Sequence, residues 1–276
     1  MKLIATILFL FSFYFTEAQK IDSLDIKNYY YKYMNSGYLA YQKGDLQNAL
    51  YFFETAHKTL PKDTAPLLNI MHIYLDQKKY DLALITAEKL LAVNHHQAPI
   101  YSLITSIKLN KGNIAEALKT VDAGLQRNKG NKMLLLMKSN LQLDDNKTID
   151  AINTIKEIIT ATSETHYYCN VGQLYESIEE ADSAILAYRL CIIDNPGNID
   201  ALHGLAFLYF EKGETLSNEA QDLPLLDAEN FKKMILLAKA QYQMAKKYID
   251  NALLVEPNNE VINNLSLRID RKMITN

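Results

Sequence analysis

The chain has 276 residues, of which 49% are hydrophobic and 22% charged, and its formal net charge at pH 7 is −3. This small negative charge, without a long basic stripe, argues against nucleic acid or an anionic membrane as a partner, because phosphate binding requires many cationic side chains. The length is ample for a continuous hydrophobic core.

The first 18 residues have the pattern of a secretory signal peptide: Lys2, an apolar run over residues 3–15, and a small-x-small cleavage site that ends at Ala18. The alternative is an anchor that is not cleaved, but about 13 apolar residues are fewer than the roughly 20 that a spanning helix needs. We therefore expect cleavage after Ala18, export to a periplasm or the extracellular space, and no membrane span in the mature chain. Residues 19–29 are predicted to extend the first helix.

Alanines recur along the chain at a fixed interval. Ala49, Ala83, Ala117 and Ala151 follow one another every 34 residues, and Ala184 comes 33 residues later. A period of this length is typical of stacked helix-turn-helix elements. It divides the chain into six segments, near residues 30–63, 64–97, 98–131, 132–164, 165–198 and 199–257.

The same residue types fall in the same columns of these segments. The first segment has Gly37, Ala49, Phe53 and Pro61. The fifth repeats the pattern most clearly, with Tyr168, Val171, Gly172, Tyr175, Ala184, Tyr188 and Pro196. This order resembles the tetratricopeptide repeat, whose pattern is W-x2-L-G-x2-Y, then A-x3-F and a closing Pro. The resemblance implies an all-α fold, a right-handed α-solenoid of about six helix-turn-helix repeats. Residues 258–276 are predicted to form a capping helix and tail.

Small residues in these columns allow two antiparallel helices to approach closely. Gly44, Gly112 and Gly213 stand where the first helix of a repeat is expected to turn into the second. The middle segments depart from the pattern at Met71, Thr105, Lys108, Lys138 and Gln142. The alignment of the middle segments with the repeat pattern therefore has the least support from the sequence.

The sixth segment departs most, because its second-helix pattern, which includes Ala245, arrives about 27 residues later than the period predicts. We predict an insertion over residues 214–240 between the two helices. Asp227 can cap a second helix of about 28 residues. Two roles remain open for the insertion: it folds back over the end of the solenoid, or it forms a partner-specific surface.

The sequence holds no recognisable catalytic motif. It lacks G-x-S-x-G, H-E-x-x-H, a glycine-rich phosphate loop and C-x-x-C. The adjacent pair His95 and His96 is expected to form a loop between repeats and not a metal site. We therefore expect no enzymatic activity, cofactor or metal. Cys169 and Cys191 lie one on each helix of the fifth repeat, and the sequence leaves both a disulfide and two free thiols open.

The resemblance implies that a partner binds on the concave surface formed by the first helices, where this family usually holds an extended peptide or a partner's helix. Tyrosines offer large contact area at low rotamer entropy, and amide side chains pair with a peptide backbone. An equal alternative is that tyrosine and asparagine are merely abundant here and face water. The candidate binding residues are Tyr31, Asn35, Tyr38, Tyr41, Asn69, His72, Asn170, Gln173, Phe207 and Phe210.

These observations predict an exported scaffold that binds a protein or peptide and has no catalytic role. The alternative is a structural solenoid that self-assembles into a homo-oligomer, through its ends or through residues 214–240. A strictly monomeric protein would exclude the second of these hypotheses.

Overall fold

The computed structural model describes residues 24–94, 96–224 and 227–275. The predicted signal peptide, His95 and the pair at 225–226 lie outside these ranges. Every regular element within them is a helix, and the chain divides into two units, the first up to Lys129 and the second from Gly130.

Successive helices pair into hairpins within each unit. The first unit contains α1 (24–42), α2 (Leu46–Thr59), α3 (Ala65–Asp76), α4 (Tyr80–Val93), α5 (Ala98–Asn110) and α6 (Ile114–Arg127). The second contains α7 (Lys132–Asp144), α8 (Thr148–Thr162), α9 (Tyr167–Ser177), α10 (Ala181–Asp194), α11 (Ile199–Gln221), α12 (Ala228–Val255) and α13 (Glu260–Thr275).

Capping side chains and prolines fix where the helices begin. Asp45 and Asn113 each accept a hydrogen bond from the backbone N–H three residues later, at 3.2 Å in both cases. Pro66 and Pro99 lie in the first turns of α3 and α5, where a missing N–H costs no intrahelical bond. Asp227 caps α12 in the same way as Asp45 caps α2, at 3.4 Å, which confirms the predicted cap.

Each regular hairpin turns through one residue in the left-handed conformation. These residues follow the 34-residue period, with φ between 56° and 76°: Gly44, Lys78, Gly112, Asn146 and, one residue early, Glu179. In each turn the next N–H donates to the carbonyl five positions before it, at 2.7–3.0 Å. Lys78 and Asn146 adopt this conformation although they are not glycines. The middle hairpins therefore turn at the same point of the 34-residue period as the first.

Where the two helices of a hairpin approach most closely, packing depends on the combined volume of the two side chains that face each other. The five periodic alanines are 0% exposed, and a Cβ built on Gly37 would lie 2.6 Å from the Phe53 ring. Where Met71 fills the small column, Ala87 stands in the Phe53 column, and both are 0% exposed. The departure at Met71 is therefore compensated by a smaller partner, which keeps the core filled.

Polar residues in the middle repeats have partners inside the hairpins. Thr105 donates to the carbonyl four residues before it at 2.7 Å, and Lys108 Nζ donates to Thr120 at 2.8 Å. Gln142 accepts from the Thr154 hydroxyl at 2.8 Å. Since buried polar groups are costly when unpaired, these bonds explain how the pattern tolerates polar residues in apolar columns.

The sixth hairpin differs from the prediction at Gly213. The sequence places a turn there, but α11 continues through Gly213 to Gln221, and the loop follows that residue. A Cβ on Gly213 would lie 2.6 Å from the Tyr242 ring of α12, so the glycine serves close packing and not a turn. The insertion thus lengthens both helices of one hairpin. Helix α12 has 28 residues, as predicted.

Helix α13 packs on the α11–α12 hairpin, in the position predicted for a capping helix. Ile262, Leu265 and Ile269 are at most 4% exposed, whereas Val261 and Leu267 on the outer face are 62% and 56% exposed. One apolar stripe therefore attaches the helix, and its other face meets water.

Ion pairs attach α13 to both helices of the hairpin. Lys246 Nζ lies 3.0 Å from Asp270, and Lys272 Nζ lies 2.8 Å from Glu214. The Tyr242 hydroxyl also donates to Glu214. Partial burial acts to raise the pKa of Glu214, but the hydrogen bonds from Lys272 and Tyr242 outweigh it and hold that pKa below its usual value.

Candidate functional site

Helix α1 presents aromatic and amide side chains on the face that does not pack inside the first unit. Tyr31, Asn35 and Tyr38 follow a helical spacing that places them on one side, and all three are exposed. Tyr30 and Met34 lie on the packed side and are 4% and 5% exposed. The tyrosines are too many for one buried stripe, so several remain in water.

The α1 residues meet α3 through side-chain hydrogen bonds. Asn69 Nδ2 donates to the Tyr38 hydroxyl at 3.2 Å and to the Ala65 carbonyl at 2.8 Å. Tyr38 also packs edge-on against Phe53, with ring centroids 5.3 Å apart. Both bonds use the nitrogen of the Asn69 amide, so among the described residues its oxygen is left open to a partner.

Tyr41 and Asp76 form a second link between the two helices. The Tyr41 hydroxyl donates to Asp76 Oδ2 at 2.5 Å. This hydrogen bond to the carboxylate raises the pKa of Tyr41 above its ordinary value. Together with exposed His72, one turn after Asn69, these residues define what we call the first-helix face of the first unit: Tyr31, Asn35, Tyr38, Tyr41, Asn69 and His72.

The other predicted site residues belong to the second unit. Asn170 and Gln173 are exposed on α9, which lies against α11. Phe207 of α11 is half-buried, and its ring stacks on His203 with centroids 6.5 Å apart and planes 13° from parallel. These three side chains are accessible to a partner.

Phe210 departs from the prediction, because its side chain is only 1% exposed. Its ring lies 5.8 Å from the Tyr242 ring, and the Arg268 guanidinium of α13 covers it at 4.6 Å from the centroid. The sequence alone assigns Phe210 to the open surface because it falls in the same column as exposed residues of earlier repeats. Here the long hairpin and α13 cover that column.

A disulfide joins the two helices of the fifth repeat. Cys169 of α9 is bonded to Cys191 of α10, with Cα atoms 5.3 Å apart, which is a usual separation for such a bond. Cys191 is buried in the core of the second unit. The structure thus favours the disulfide over the two free thiols that the sequence left open.

In the described part of the chain, equivalent cavities lie between successive second helices at three places. Those of the first unit lie between α2 and α4 and between α4 and α6, over α3 and α5 respectively. The third, which we call the α9 cavity, lies between α8 and α10 and has α9 as its floor. Sequence reasoning missed all three because their floors, such as Tyr168 and Val171 in the α9 cavity, read as ordinary core positions.

The described ranges contain neither a metal-binding cluster nor a membrane-spanning helix. No three His, Cys, Asp or Glu side chains there are grouped to hold a metal ion. No described helix combines the length and apolarity needed to cross a membrane.

The described helices form hairpins that repeat about every 34 residues along the chain. This arrangement defines the class of helical repeat proteins. Comparison with known families gives the same result. Models of the tetratricopeptide repeat match residues 40–107 and residues 165–192. A TPR repeat-containing protein of Methanocaldococcus jannaschii is 28% identical over an alignment of 170 residues, and the match covers 55% of this chain and 30% of that protein.

Solved structures show the same fold. A TPR repeats protein from Bacteroides fragilis NCTC 9343 superposes with a TM-score of 0.55 at 20% identity, over 76% of this chain and 99% of that one. YrrB, a TPR protein with an unusual peptide-binding site, superposes with a TM-score of 0.50 at 16% identity, over 79% and 97% of the two chains. At these identities the likeness concerns the fold alone.

The chain therefore contains tetratricopeptide repeats over the matched residues. Its fold is the all-α solenoid that the sequence predicts. Proteins with this repeat fold are generally protein-interaction scaffolds. The question for this chain is which of its surfaces holds a partner.

Proposed function

We propose that this protein is an exported, non-catalytic scaffold that binds a protein or peptide through the first-helix face of its first unit. One observation carries the proposal: Tyr31, Tyr38 and Tyr41 remain 61%, 43% and 38% exposed on a helix whose opposite face is packed. Aromatic side chains left in water gain free energy when a partner covers them, and tyrosine is enriched at the centres of binding interfaces.

Hydrogen bonds restrict two of these tyrosines, Tyr38 and Tyr41, before any partner arrives. Tyr38 is held between Asn69 and the edge of the Phe53 ring, and Tyr41 is bonded to Asp76. Ordering these side chains in advance reduces the entropy that binding would otherwise cost. The amides of Asn35 and Asn69 can pair with the backbone of an extended peptide, which makes such a peptide the favoured ligand.

A paired capture experiment tests this site. The mature protein is immobilised and exposed to the envelope fraction of its own cells, beside a double variant, Tyr38→Ala with Asn69→Ala. Bound proteins are identified by mass spectrometry, and the affinity of each is then measured with the purified partner. We expect the double variant to bind at least about tenfold more weakly, as for loss of a hot-spot tyrosine.

The matched control is Tyr51→Ala. Tyr51 is 61% exposed on α2, a second helix, and so tests the effect of losing an exposed tyrosine elsewhere. The control should bind as the native protein does. Equal affinities for the native protein and the double variant would reject the first-helix face as the binding site.

Export is the second part of the proposal. The signal-peptide pattern of residues 1–18 motivates it, and the Cys169–Cys191 disulfide supports it, because such bonds persist in oxidising compartments. Mass spectrometry of the protein from its native cells should find a chain that begins at Gln19. A chain that still carries Lys2 would contradict cleavage.

A second candidate function is self-assembly through the α11–α12 hairpin. The outer part of α12 exposes Phe231, Leu236 and Leu237 by 44%, 69% and 45%. Large apolar side chains left in water favour association with a complementary surface.

Light scattering over a range of concentrations tests this candidate. Self-assembly predicts a molecular mass that rises with concentration and falls to that of a monomer for Phe231→Ser with Leu236→Ser. The control is Leu254→Ser, since Leu254 is 84% exposed at the other end of α12. A native protein that stays monomeric throughout would exclude self-assembly.

A further inference from the structure

The three cavities between second helices are lined from equivalent positions and differ in charge. Each has a floor of three first-helix residues and walls from the two flanking second helices. One wall position is equivalent in all three, because its second and third occurrences follow the first after one and three periods of 34 residues. It holds Glu54 in the first, Glu88 in the second and Lys156 in the α9 cavity.

The first-unit cavities contain charges of both signs. Glu54 shares its cavity with Lys58 and Lys89, and Glu88 shares its cavity with Lys108 and Lys119. The two lysines beside Glu88 also lie near Glu116, at 3.6 and 2.8 Å. The lysines beside Glu88 therefore have a carboxylate within 4 Å, and those beside Glu54 share their cavity with one.

The α9 cavity has one charged group and a largely aliphatic wall. Lys156 Nζ donates to the Tyr175 hydroxyl at 2.9 Å and lies 5.1 Å from the centre of that ring. Among the described residues, no carboxylate lies within 4.0 Å of this ammonium. Leu186, which is 59% exposed, and Leu190 line the wall opposite.

Buried core residues form the inner surface of this cavity. Val171 and Ala187 are 1% and 4% exposed and belong to a core cluster, against which Tyr168 and Tyr175 pack. The cavity volume of about 330 Å³ lies at the lower end of the range for ligand pockets, about 300–1,000 Å³. It therefore suits a single anchoring side chain better than a whole cofactor.

We propose that the α9 cavity is a second binding site, for a partner peptide that carries a carboxylate beside a bulky apolar side chain. The apolar side chain fills the cavity between Leu186 and Leu190, and the carboxylate accepts hydrogen bonds from Lys156 and Tyr175. Charge complementarity favours this occupant. Lys156 is the one charged residue that lines the cavity, and the carboxylate of the peptide supplies the opposite charge. The site is separate from the first-helix face, so neither proposal depends on the other.

A peptide array provides the first test. Each peptide carries Leu, Ile, Met or Phe in a Gly-Ser background, with either Glu or Gln beside it, and is probed with the labelled mature protein. The proposal predicts binding of Glu peptides and at least about tenfold weaker binding of their Gln counterparts, since charge-assisted hydrogen bonds are the stronger ones. An array in which no Glu peptide exceeds its Gln counterpart would overturn it.

Variants of the protein locate the site. Lys156→Met and Leu186→Ser should each weaken binding of the tightest Glu peptide about tenfold or more. Both side chains are exposed, so their replacement should not unfold the protein. Lys119→Met is the control, because Lys119 lines the equivalent cavity beside Glu88. Loss of binding in the control as well, or unchanged binding in both cavity variants, would refute the α9 cavity as the site.

Light scattering tests the other occupant, a second copy of the chain. Leu254 and Glu256 are exposed and lie two residues apart, so another copy can present the same chemistry. Under the proposal the native protein and Lys156→Met have the same mass at all concentrations. A dimer that Lys156→Met abolishes would overturn the partner-peptide proposal in favour of self-association.

Discussion

Two hairpins of the second unit differ in length but share one packing contact, a tyrosine ring against a glycine. The α9–α10 hairpin buries Tyr188 against Gly172, and the longer α11–α12 hairpin buries Tyr242 against Gly213. In both, the phenol donates to a glutamate of the first helix, Glu176 in the shorter and Glu214 in the longer. The same contact therefore serves a repeat of ordinary length and one that has been extended.

The two hairpins differ in what closes them. The shorter one has a covalent link, Cys169–Cys191, and its Tyr188 ring also meets Gly204 of the next helix, where a Cβ would again lie 2.6 Å away. The longer one is closed by α13, through Lys272 and an apolar stripe. An inner hairpin is thus supported by the next repeat, whereas a terminal one needs a dedicated helix.

The largest effect should follow from removal of the buried rings. Tyr188→Ala is expected to lower the free energy of unfolding by about 3–5 kcal/mol, because it leaves a cavity between two glycines that cannot fill it. Tyr242→Ala should cost less, since one glycine, Gly213, faces that ring. Urea unfolding measures both, with Tyr51→Ala as an exposed control. A Tyr188→Ala variant as stable as the control would contradict the packing argument.

The disulfide should contribute the next largest amount. Replacing both cysteines, Cys169→Ser with Cys191→Ser, is expected to cost about 2–4 kcal/mol, because the bond restricts the unfolded chain. A reducing agent should lower the unfolding midpoint of the native protein to that of the variant and leave the variant unchanged. A native midpoint that is insensitive to reductant would show that the bond contributes nothing.

Added methyl groups test the close approach itself. Gly172→Ala and Gly213→Ala should each cost about 1–3 kcal/mol, because a Cβ at either position overlaps a ring that has little room to move. Gly197→Ala is the matched control, since its Cβ would meet Val255 at an ordinary 3.6 Å. If Gly213→Ala were neutral while Gly172→Ala was not, the long hairpin would be packed more loosely than the short one.

The smallest effect concerns the ion pair that attaches α13. Lys272→Met should cost no more than about 1 kcal/mol near pH 7, because the lysine is partly exposed. The pKa of Glu214 is lowered in the folded protein, so its contribution is present above the unfolded pKa of about 4.3 and is lost as pH falls through the lowered value.

Thermal unfolding between pH 7 and pH 3 measures this dependence. The difference in stability between the native protein and Lys272→Met should shrink as Glu214 becomes protonated. A difference that stays constant into acid would mean that the Lys272 side chain acts through packing and not through charge.

Column positions anticipate which residues of the first-helix face are accessible. Tyr31, Tyr38 and Asn69 fall in first-helix columns and are accessible or partly accessible in the structure. The same rule failed for Phe210, because what covers a column at the end of the array depends on α13 and not on the repeat. It also gave no sign of the α9 cavity, whose floor residues have the spacing of any packed helix.

The sequence by itself determined the repeat, because close approach of two helices restricts certain columns to small residues, and periodic alanines reveal it without coordinates. It also determined the long α12 and its cap at Asp227. Tertiary structure alone decided that Gly213 lies inside a helix, since a glycine that turns a chain and one that admits a ring look alike in sequence. It also decided that Met71 is balanced by Ala87 and that Cys169 meets Cys191, because volume and distance belong to pairs of residues far apart in the chain.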